Sequence, residues 1–305
     1  MGNAHVIVGS GPAGTTTAKL LSSLGEQVIL LNRSGQGPSV EGVQRKAIDA
    51  TDQEALQSVA ADASVIYNCA NPAYTRWVSD WPPLADSMLN AAKTSGAVLV
   101  TLSNLYGYAP PTRPMLETDE LDSTTVKGQV RAKMWLDALD AHRRGDIRAT
   151  EARGSDFVGA PLGASYQMGE RVTSPLKKGK TVNILGDPDM AHSWTAIDDV
   201  AATLVELGSN PKAWGNPWHI PTAEPLSQRK IISQMGEMAG VSTVNVRSAP
   251  AALLTVMGWF QPIVRELKEV MYQFDSPFVV DSSAATTAFG LKPASLEESL
   301  RLTLG

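Results

Sequence analysis

Scarcity narrows the chemistry open to this chain before any motif is read. One cysteine, Cys69, in 305 residues excludes an internal disulfide framework. It lies in an apolar run and reads as a small buried hydrophobe. The four histidines, at 5, 142, 192 and 219, show no metal-ligand spacing, so no metal is expected. No window approaches the roughly 20 apolar residues that span a bilayer. Positive charge is also short: 26 Lys+Arg face 31 Asp+Glu, a net −5, which leaves no footprint for nucleic acid or an anionic membrane. The first residues lack the basic start of a signal peptide, and the expectation is a cytoplasmic protein. Neither repeats nor low-complexity segments appear.

What is present is ordinary for a soluble globular chain: 43% apolar and 19% charged residues. Over the first 160 residues, short apolar runs at 5–9, 27–32, 43–49, 64–70, 97–103 and 146–159 alternate with helical patterns. That rhythm predicts βαβ crossovers and a parallel sheet. The runs are apolar almost throughout, as strands covered by helices on both faces must be. Beyond 160 the rhythm breaks into strand-like and turn-like segments, with helical patterns near 197–208, 227–239 and 261–273. Residues 1–160 therefore read as one core, and 161–305 as late strands plus a smaller subdomain of the same continuous unit.

The run "VIVGSGPAG" carries Gly9, Gly11 and Gly14 in a G-x-G-x-x-G pattern between a strand and a helix. That context is the one the pattern requires for a dinucleotide. Gly9 allows a tight turn, Gly11 lets a pyrophosphate approach the backbone, and Gly14 lets helix and strand pack closely. Pro12, Ala13 and Gly14 then form the helix N-terminus, whose free N–H groups and dipole suit phosphate. The fold class is α/β, a Rossmann-type doubly wound parallel sheet with a C-terminal substrate-binding subdomain.

At the end of the second strand, NAD enzymes tend to place an acidic residue for the ribose 2′-hydroxyl. This chain has Asn32, Arg33 and Ser34 there instead. Arg33 and Ser34 suit a 2′-phosphate, so NADP is expected over NAD, with NAD still open. Asp49 and Ala50, after the third strand, are expected near the adenine.

Taken together, these motifs resemble the short-chain dehydrogenase/reductase superfamily in its extended or atypical branch, the NAD-dependent epimerase/dehydratases. "NCANP" at 68–72, "LSNLYGY" at 102–108, "RGSDFVGAP" at 153–161 and "HSWTAIDDVAATLV" at 192–205 carry the resemblance further along the chain. It implies that Ala70, Asn71 and Pro72 line the cofactor. It implies that Ser103 or Asn104 takes a carbonyl oxygen, and that Ser155, Asp156, Tyr106, His192 and Trp194 lie on the substrate side. The residues alone leave a strand-end cap open for Ser103 and Asn104, and a turn cap for Asp156. Core packing stays open for Tyr106, His192 and Trp194.

The family's catalytic helix carries Tyr-x-x-x-Lys. Here "VKGQVRAKMW" puts Lys127 and Arg131 at those positions, or Gln129 and Lys133 in a rival register. Two like charges four residues apart repel, and a solvated helix face is the plain reading. The resemblance instead makes them a replaced catalytic pair. Lys127 would point at the nicotinamide as a proton donor, its pKa lowered by burial and by Arg131, while Arg131 would hold the cofactor ribose. Tyr74 is a candidate for the missing phenol. The resemblance also implies a homodimer through helices containing 82–96 and 125–142. Met134, Trp135, Leu136 and Leu139 would supply apolar surface beyond what one subunit buries. Two functions follow. One is an NAD(P)-dependent oxidoreductase or epimerase/dehydratase acting on a small carbonyl or hydroxyl compound. The other is a non-catalytic NADP-binding sensor of the same fold.

Overall fold

The computed structural model describes residues 3–37, 39–160, 162–163, 166–248 and 266–305. The first half alternates β1 (Ala4–Val8), α1 (Pro12–Ser23), β2 (Gln27–Asn32), β3 (Val43–Ala47), α2 (Gln53–Ala60), β4 (Ala63–Asn68), α3 (Trp77–Ser95), β5 (Val98–Ser103), α4 (Val126–Arg143) and β6 (Arg148–Arg153). These elements track the apolar runs closely. Short caps fix several boundaries: Asp52 accepts from Ala55 N at 3.1 Å to start α2, and Thr125 Oγ1 accepts from Gly128 N at 3.0 Å to start α4.

Two boundaries differ from the sequence pattern. Helix α3 begins at Trp77, before the stretch 82–96 read as helical from the sequence, and runs through Pro82 and Pro83. Each proline removes a helix donor. Burial of Trp77 and Trp81 in the core offsets that penalty and holds the first turns. The run 146–159 divides into β6 and β7 (Asp156–Val158), which leaves the main sheet to pair with β9 (Trp194–Ala196). Of the helical pattern at 261–273, residues 261–265 lie outside the described residues. Lys268–Val270 forms a single 3-10 turn, and Tyr272–Asp275 a one-turn helix.

The main sheet is seven-stranded, in the order β10-β6-β5-β4-β1-β2-β3, with β10 (Pro217–His219) supplied by the second half. All its pairings are parallel. Helices cover both faces. One face packs Leu56, Trp81, Met88 and Ala138 against the sheet. The other packs α1 and α6 (Ile197–Ser209) through Leu21, Ile197 and Leu204. A third cluster, with Met168, Leu176, Trp194, Ile231 and Met235, lies in the second half. It takes in α5 (Glu170–Lys177), β8 (Val182–Ile184) and α7 (Gln228–Met238). From β1 the chain proceeds outward to β2 and β3, then returns to β4 on the other side. That reversal opens a crevice at the carboxyl ends of β1 and β4, where doubly wound sheets take their ligands.

Candidate functional site

The glycine motif sits at this crevice, and its three glycines have distinct jobs. Gly9 has φ +109°, and a Cβ on it would stand 2.4 Å from Cys69 O at the end of β4. A Cβ on Gly14 would stand 1.9 Å from Gly9 O. Both glycines let backbones touch. Gly11 differs: among the described residues a Cβ there would meet one neighbour within 4 Å, the Tyr166 hydroxyl at 3.9 Å. The space above Gly11 is open to a ligand. No side chain caps α1, Pro12 occupies its first turn, and no acidic residue lies there. Unsatisfied N–H groups with a positive dipole end and room above them make a phosphate cradle. A dinucleotide fits these residues. Cys69, beneath the turn, is a buried thiol that burial pushes up to about 12, too high to serve as a nucleophile.

Around the cradle, Asn32 at the end of β2 is occupied internally. Its amide donates to Ser10 Oγ at 2.6 Å and to Gln36 O at 2.7 Å, while its oxygen accepts from Gly35 N at 2.5 Å. Arg33 and Ser34 are exposed beside it. Asp49 turns toward the start of α2, accepting from Thr51 N at 3.0 Å and Thr51 Oγ1 at 2.8 Å. Those bonds, with a smaller pull from Arg33, hold its carboxyl below the usual range. Ala50 packs in the core under β1 and β2. Ala70 N donates to Asn68 Oδ1 at 3.3 Å, Asn71 is exposed, and Pro72 O accepts from Trp77 Nε1 at 3.1 Å.

Ser103 is buried at the end of β5, its carbonyl accepting from Gly154 N at 3.1 Å. Asn104 Oδ1 caps the following turn at Tyr106 N, 3.2 Å away. A cavity of about 50 Å³ opens here, lined by Asn104, Tyr106, Ser155, Asp156 and Gln273. Behind it, His192 Nε2 lies 2.9 Å from Asp156 Oδ2, and His192 Nδ1 lies 3.2 Å from Gln273 O. Oxygen atoms of Asp156 and Gln273 flank the two ring nitrogens and hold the imidazole in place between them. Trp194 does not line this cavity. Its indole N–H donates to Leu226 O at 2.7 Å inside the third core, and its ring backs the His192 ring at 4.6 Å. A groove of about 430 Å³ lies elsewhere, between α2, α3 and α4. Charged side chains such as Asp86, Lys93, Asp137 and Arg144 line it. It has no link to the glycine turn.

The two cations of α4 part company. Lys127 is buried to 2% exposure, as expected, but its company is anionic. Its ammonium pairs with Glu266 and with Glu269, the latter at 3.2 Å, and lies 4.7 Å above the Tyr74 ring. Glu269 also accepts from Val126 N and Lys127 N, so it caps the helix as well. The expected setting, a lysine desolvated beside a second cation, is replaced by a glutamate clamp. Arg131 turns the other way. Its guanidinium covers the Trp81 ring at 4.6 Å and the Trp77 ring at 5.6 Å, and Nη2 donates to Leu102 O at 2.8 Å. Burial lowers it to about 10, and its Nε has no partner among the described residues. The Tyr74 hydroxyl is likewise buried without a partner there, and burial raises that phenol well above its ordinary value. Trp135 is 4% exposed, buried within its own subunit with the Arg153 guanidinium 6.0 Å from its ring, and Met134 packs against the core on the Trp81 face of the sheet. Leu136 alone of that set stands out, at 51%.

A family model described as the NAD dependent epimerase/dehydratase family matches residues 6–220. The chain belongs to this family. The matched span covers the glycine turn, α4 and the cavity residues from Asn104 to Asp156, while Gln273 lies beyond it. A probable UDP-glucuronate 4-epimerase of Rhizobium meliloti (strain 1021) is 24% identical over 217 residues, 69% of this chain. The match spans 60% of that relative's length. Solved structures share the fold at lower identity. UDP-glucose 4-epimerase of Thermotoga maritima, solved with UDP-glucose, gives a TM-score of 0.81 at 15% identity, over 99% of this chain and 97% of that one. The UDP-glucose 4-epimerase of Thermus thermophilus, in complex with NAD, gives 0.78 at 18%, over 99% and 97%. The dTDP-glucose 4,6-dehydratase of Bacillus anthracis, also with NAD, gives 0.79 at 15%, over 99% and 95%.

Several residues of this site carried no sequence signal. Glu266 and Glu269 lie 139 and 142 residues from Lys127. Gln273 and Tyr166 belong to no motif. The His192–Asp156 pair joins two residues each singled out, with nothing in the sequence to couple them.

Proposed function

We propose that this family member is an NADP-dependent oxidoreductase or epimerase/dehydratase acting on a carbonyl or hydroxyl group of a sugar nucleotide or similar small compound. The observation that carries the reading is the open face of Gly11 at the crevice, with a polar cavity a few residues beyond the neighbouring strand ends. In this reading Gly9, Gly11 and the first turn of α1 hold the pyrophosphate, and Arg33 with Ser34 holds a 2′-phosphate. Asn32 is spent on its own turn and offers little to a free 2′-hydroxyl. Asn71 and Pro72 border the cofactor. Arg131, whose Nε is unpartnered, faces the ribose. A bound nicotinamide would supply the hydride acceptor and donor. Asp156, Asn104, Tyr106 and Ser155 would orient the substrate, with His192 holding the Asp156 carboxylate in place. Lys127 is the group assigned the substrate proton, with Tyr74 and Ser103 as alternatives. Residues 1–160 serve as the nucleotide half and 161–305 supply the substrate wall.

No helix among the described residues is long and apolar enough to cross a membrane. We take the setting as cytoplasmic and the assembly as a homodimer through α3 and α4, with Leu136 at the contact. Light scattering of Leu136→Glu checks the latter. The activity test is calorimetric titration with NADPH, NADP, NADH and NAD. Incubation with UDP-glucose, UDP-glucuronate and dTDP-glucose follows, with nicotinamide absorbance and sugar products read out. Tighter binding of the NADP pair and turnover of one sugar nucleotide are expected. Equal or reversed affinities would sink the NADP assignment. One observation favours the second reading, a dinucleotide sensor without turnover: the clamp of Glu266 and Glu269 on Lys127. Binding without turnover of any of these compounds would select it.

A further inference from the structure

Across the open space from Gly11 stands Tyr166, carried by the stretch between β7 and α5 in the second half of the chain. Among the described residues its hydroxyl is the one atom within 4 Å of where a Gly11 Cβ would be, at 3.9 Å. Several contacts fix it there. Tyr166 N donates to Gly163 O at 3.1 Å, and Tyr166 O accepts from Gly169 N at 3.1 Å. Glu170 N closes the turn on Leu162 O at 2.9 Å. A Cβ on Gly169 would run into Gly163 O at 2.0 Å, so the backbone folds back on itself more tightly than a side chain permits. The Tyr166 ring leans on Phe157, with centroids 6.4 Å apart and planes at 34°. Burial raises the phenol, so the hydroxyl keeps its proton near neutral pH and is available as a donor.

We infer that Tyr166 is a further cofactor-binding residue, donating a hydrogen bond to the pyrophosphate that Gly11 admits. The inference rests on the reading of the glycine turn as a dinucleotide site. A phosphate oxygen resting on the bare Cα face of Gly11 stands between that face and the phenol. It then lies within roughly the 2.5–3.0 Å of an O–H···O bond to an anionic acceptor. The pyrophosphate is thereby held from two sides, by the N–H groups of α1 below and by a hydroxyl from the substrate half above. Phe157, on which Tyr166 leans, directly follows Asp156 of the cavity wall. Cofactor phosphates and substrate cavity therefore share one ring-on-ring support.

Tyr166→Phe removes the hydroxyl and leaves the ring on Phe157, so its melting temperature should match the wild type. Calorimetric titration with NADPH and NADH should give about tenfold weaker binding, the loss expected for one hydrogen bond to a charged oxygen. ADP-ribose, which keeps the pyrophosphate, should lose as much. Adenosine, which lacks it, should lose nothing. Unchanged or tighter dinucleotide binding by the folded Phe variant overturns the assignment of Tyr166 and leaves the glycine turn untouched. An equal loss for adenosine overturns it too, since the effect would not lie at the phosphates. If the wild type binds neither dinucleotide nor ADP-ribose, the glycine-turn reading fails, and Tyr166 falls with it.

Discussion

Replacing the glycines of the motif one at a time should separate folding from binding. Gly11 has φ −70° and ψ −177°, extended backbone that any residue adopts. Among the described residues its Cβ would contact only the tip of Tyr166. A valine there loses little: removing glycine's freedom in the unfolded chain contributes about 0.4–1 kcal/mol, and a poorer helix cap takes back a similar amount. Gly11→Val should therefore fold with its stability within about 1 kcal/mol of the wild type. The same branch fills the space of a pyrophosphate, and dinucleotide affinity should drop by at least about 100-fold, or about 2.7 kcal/mol. Gly9→Ala should behave in the opposite way. A non-glycine residue held at φ +109° is strained by roughly 1–3 kcal/mol. Its Cβ would also meet Cys69 O at 2.4 Å, so the end of β4 must move. The total reaches about 4 kcal/mol, the range of severe single mutations. Gly14→Ala, 1.9 Å from Gly9 O, belongs with it. Thermal melts and calorimetric titration of the three variants give both readouts. Full dinucleotide affinity in a folded Gly11→Val, or wild-type stability in Gly9→Ala, would refute the division of labour.

Two further outcomes concern charges buried in the fold. Lys127→Met leaves Glu266 and Glu269 without their cation, and should lower stability by about 2 kcal/mol, because both carboxylates keep partial access to water. If Lys127 carries the substrate proton, turnover of an accepted sugar nucleotide should also fall by about 10²–10⁴ while NADPH affinity holds; full activity would make Lys127 a structural clamp. Asp199 in α6 is raised to about 6 by burial, with Asp198 adding to the rise against the Ala294 N–H bonds. The folded state then binds this proton more tightly than the unfolded one, so stability falls as pH climbs from about 4 to 6 and is flat above. Asp199→Asn keeps an acceptor for Ala294 N without the charge. Its melting temperature should exceed the wild type's by about 2 °C at pH 8 and show no gain at pH 4; an equal difference at both values would count against the buried-charge account.

The parts of this protein legible in its sequence are those governed by local rules. Strand runs and the glycine turn depend on residues within a few positions of each other, and the structure follows them nearly residue for residue. The misplaced start of α3 shows where local rules stop. Pro82 and Pro83 argue for a break, yet two tryptophans on the inner face gain more by burial than the prolines lose, and only the tertiary structure contains that balance. Trp194 and Trp135 make the same point in reverse. A large aromatic ring at a motif position reads as pocket or interface, but each is enclosed by a core assembled from distant elements.

Lys127 and Arg131 are the sharpest case. From the helix alone, two cations four residues apart must either face water or share a site, and mutual repulsion follows from both. Burial without repulsion needs separate partners for each cation, and those partners come from elsewhere in the chain. Glu266 and Glu269 close on Lys127 from the far end of the sequence. Trp77 and Trp81 of the neighbouring helix present ring faces to Arg131, with Leu102 O completing its contact. A ring face and a carbonyl attract a guanidinium without cancelling its charge. Arg131 therefore stays a buried cation whose Nε is unpartnered among the described residues, whereas Lys127 is matched by two carboxylates. In the proposed reading, where Arg131 stands at the family's lysine position and Lys127 at its tyrosine position, Arg131 keeps an unpaired charge for the cofactor, while Lys127 must first be freed from its glutamates before it can serve a substrate. Lys127→Met separates the two roles: a loss of stability with turnover unchanged makes Lys127 a clamp, and a loss of turnover beyond that makes it the proton carrier.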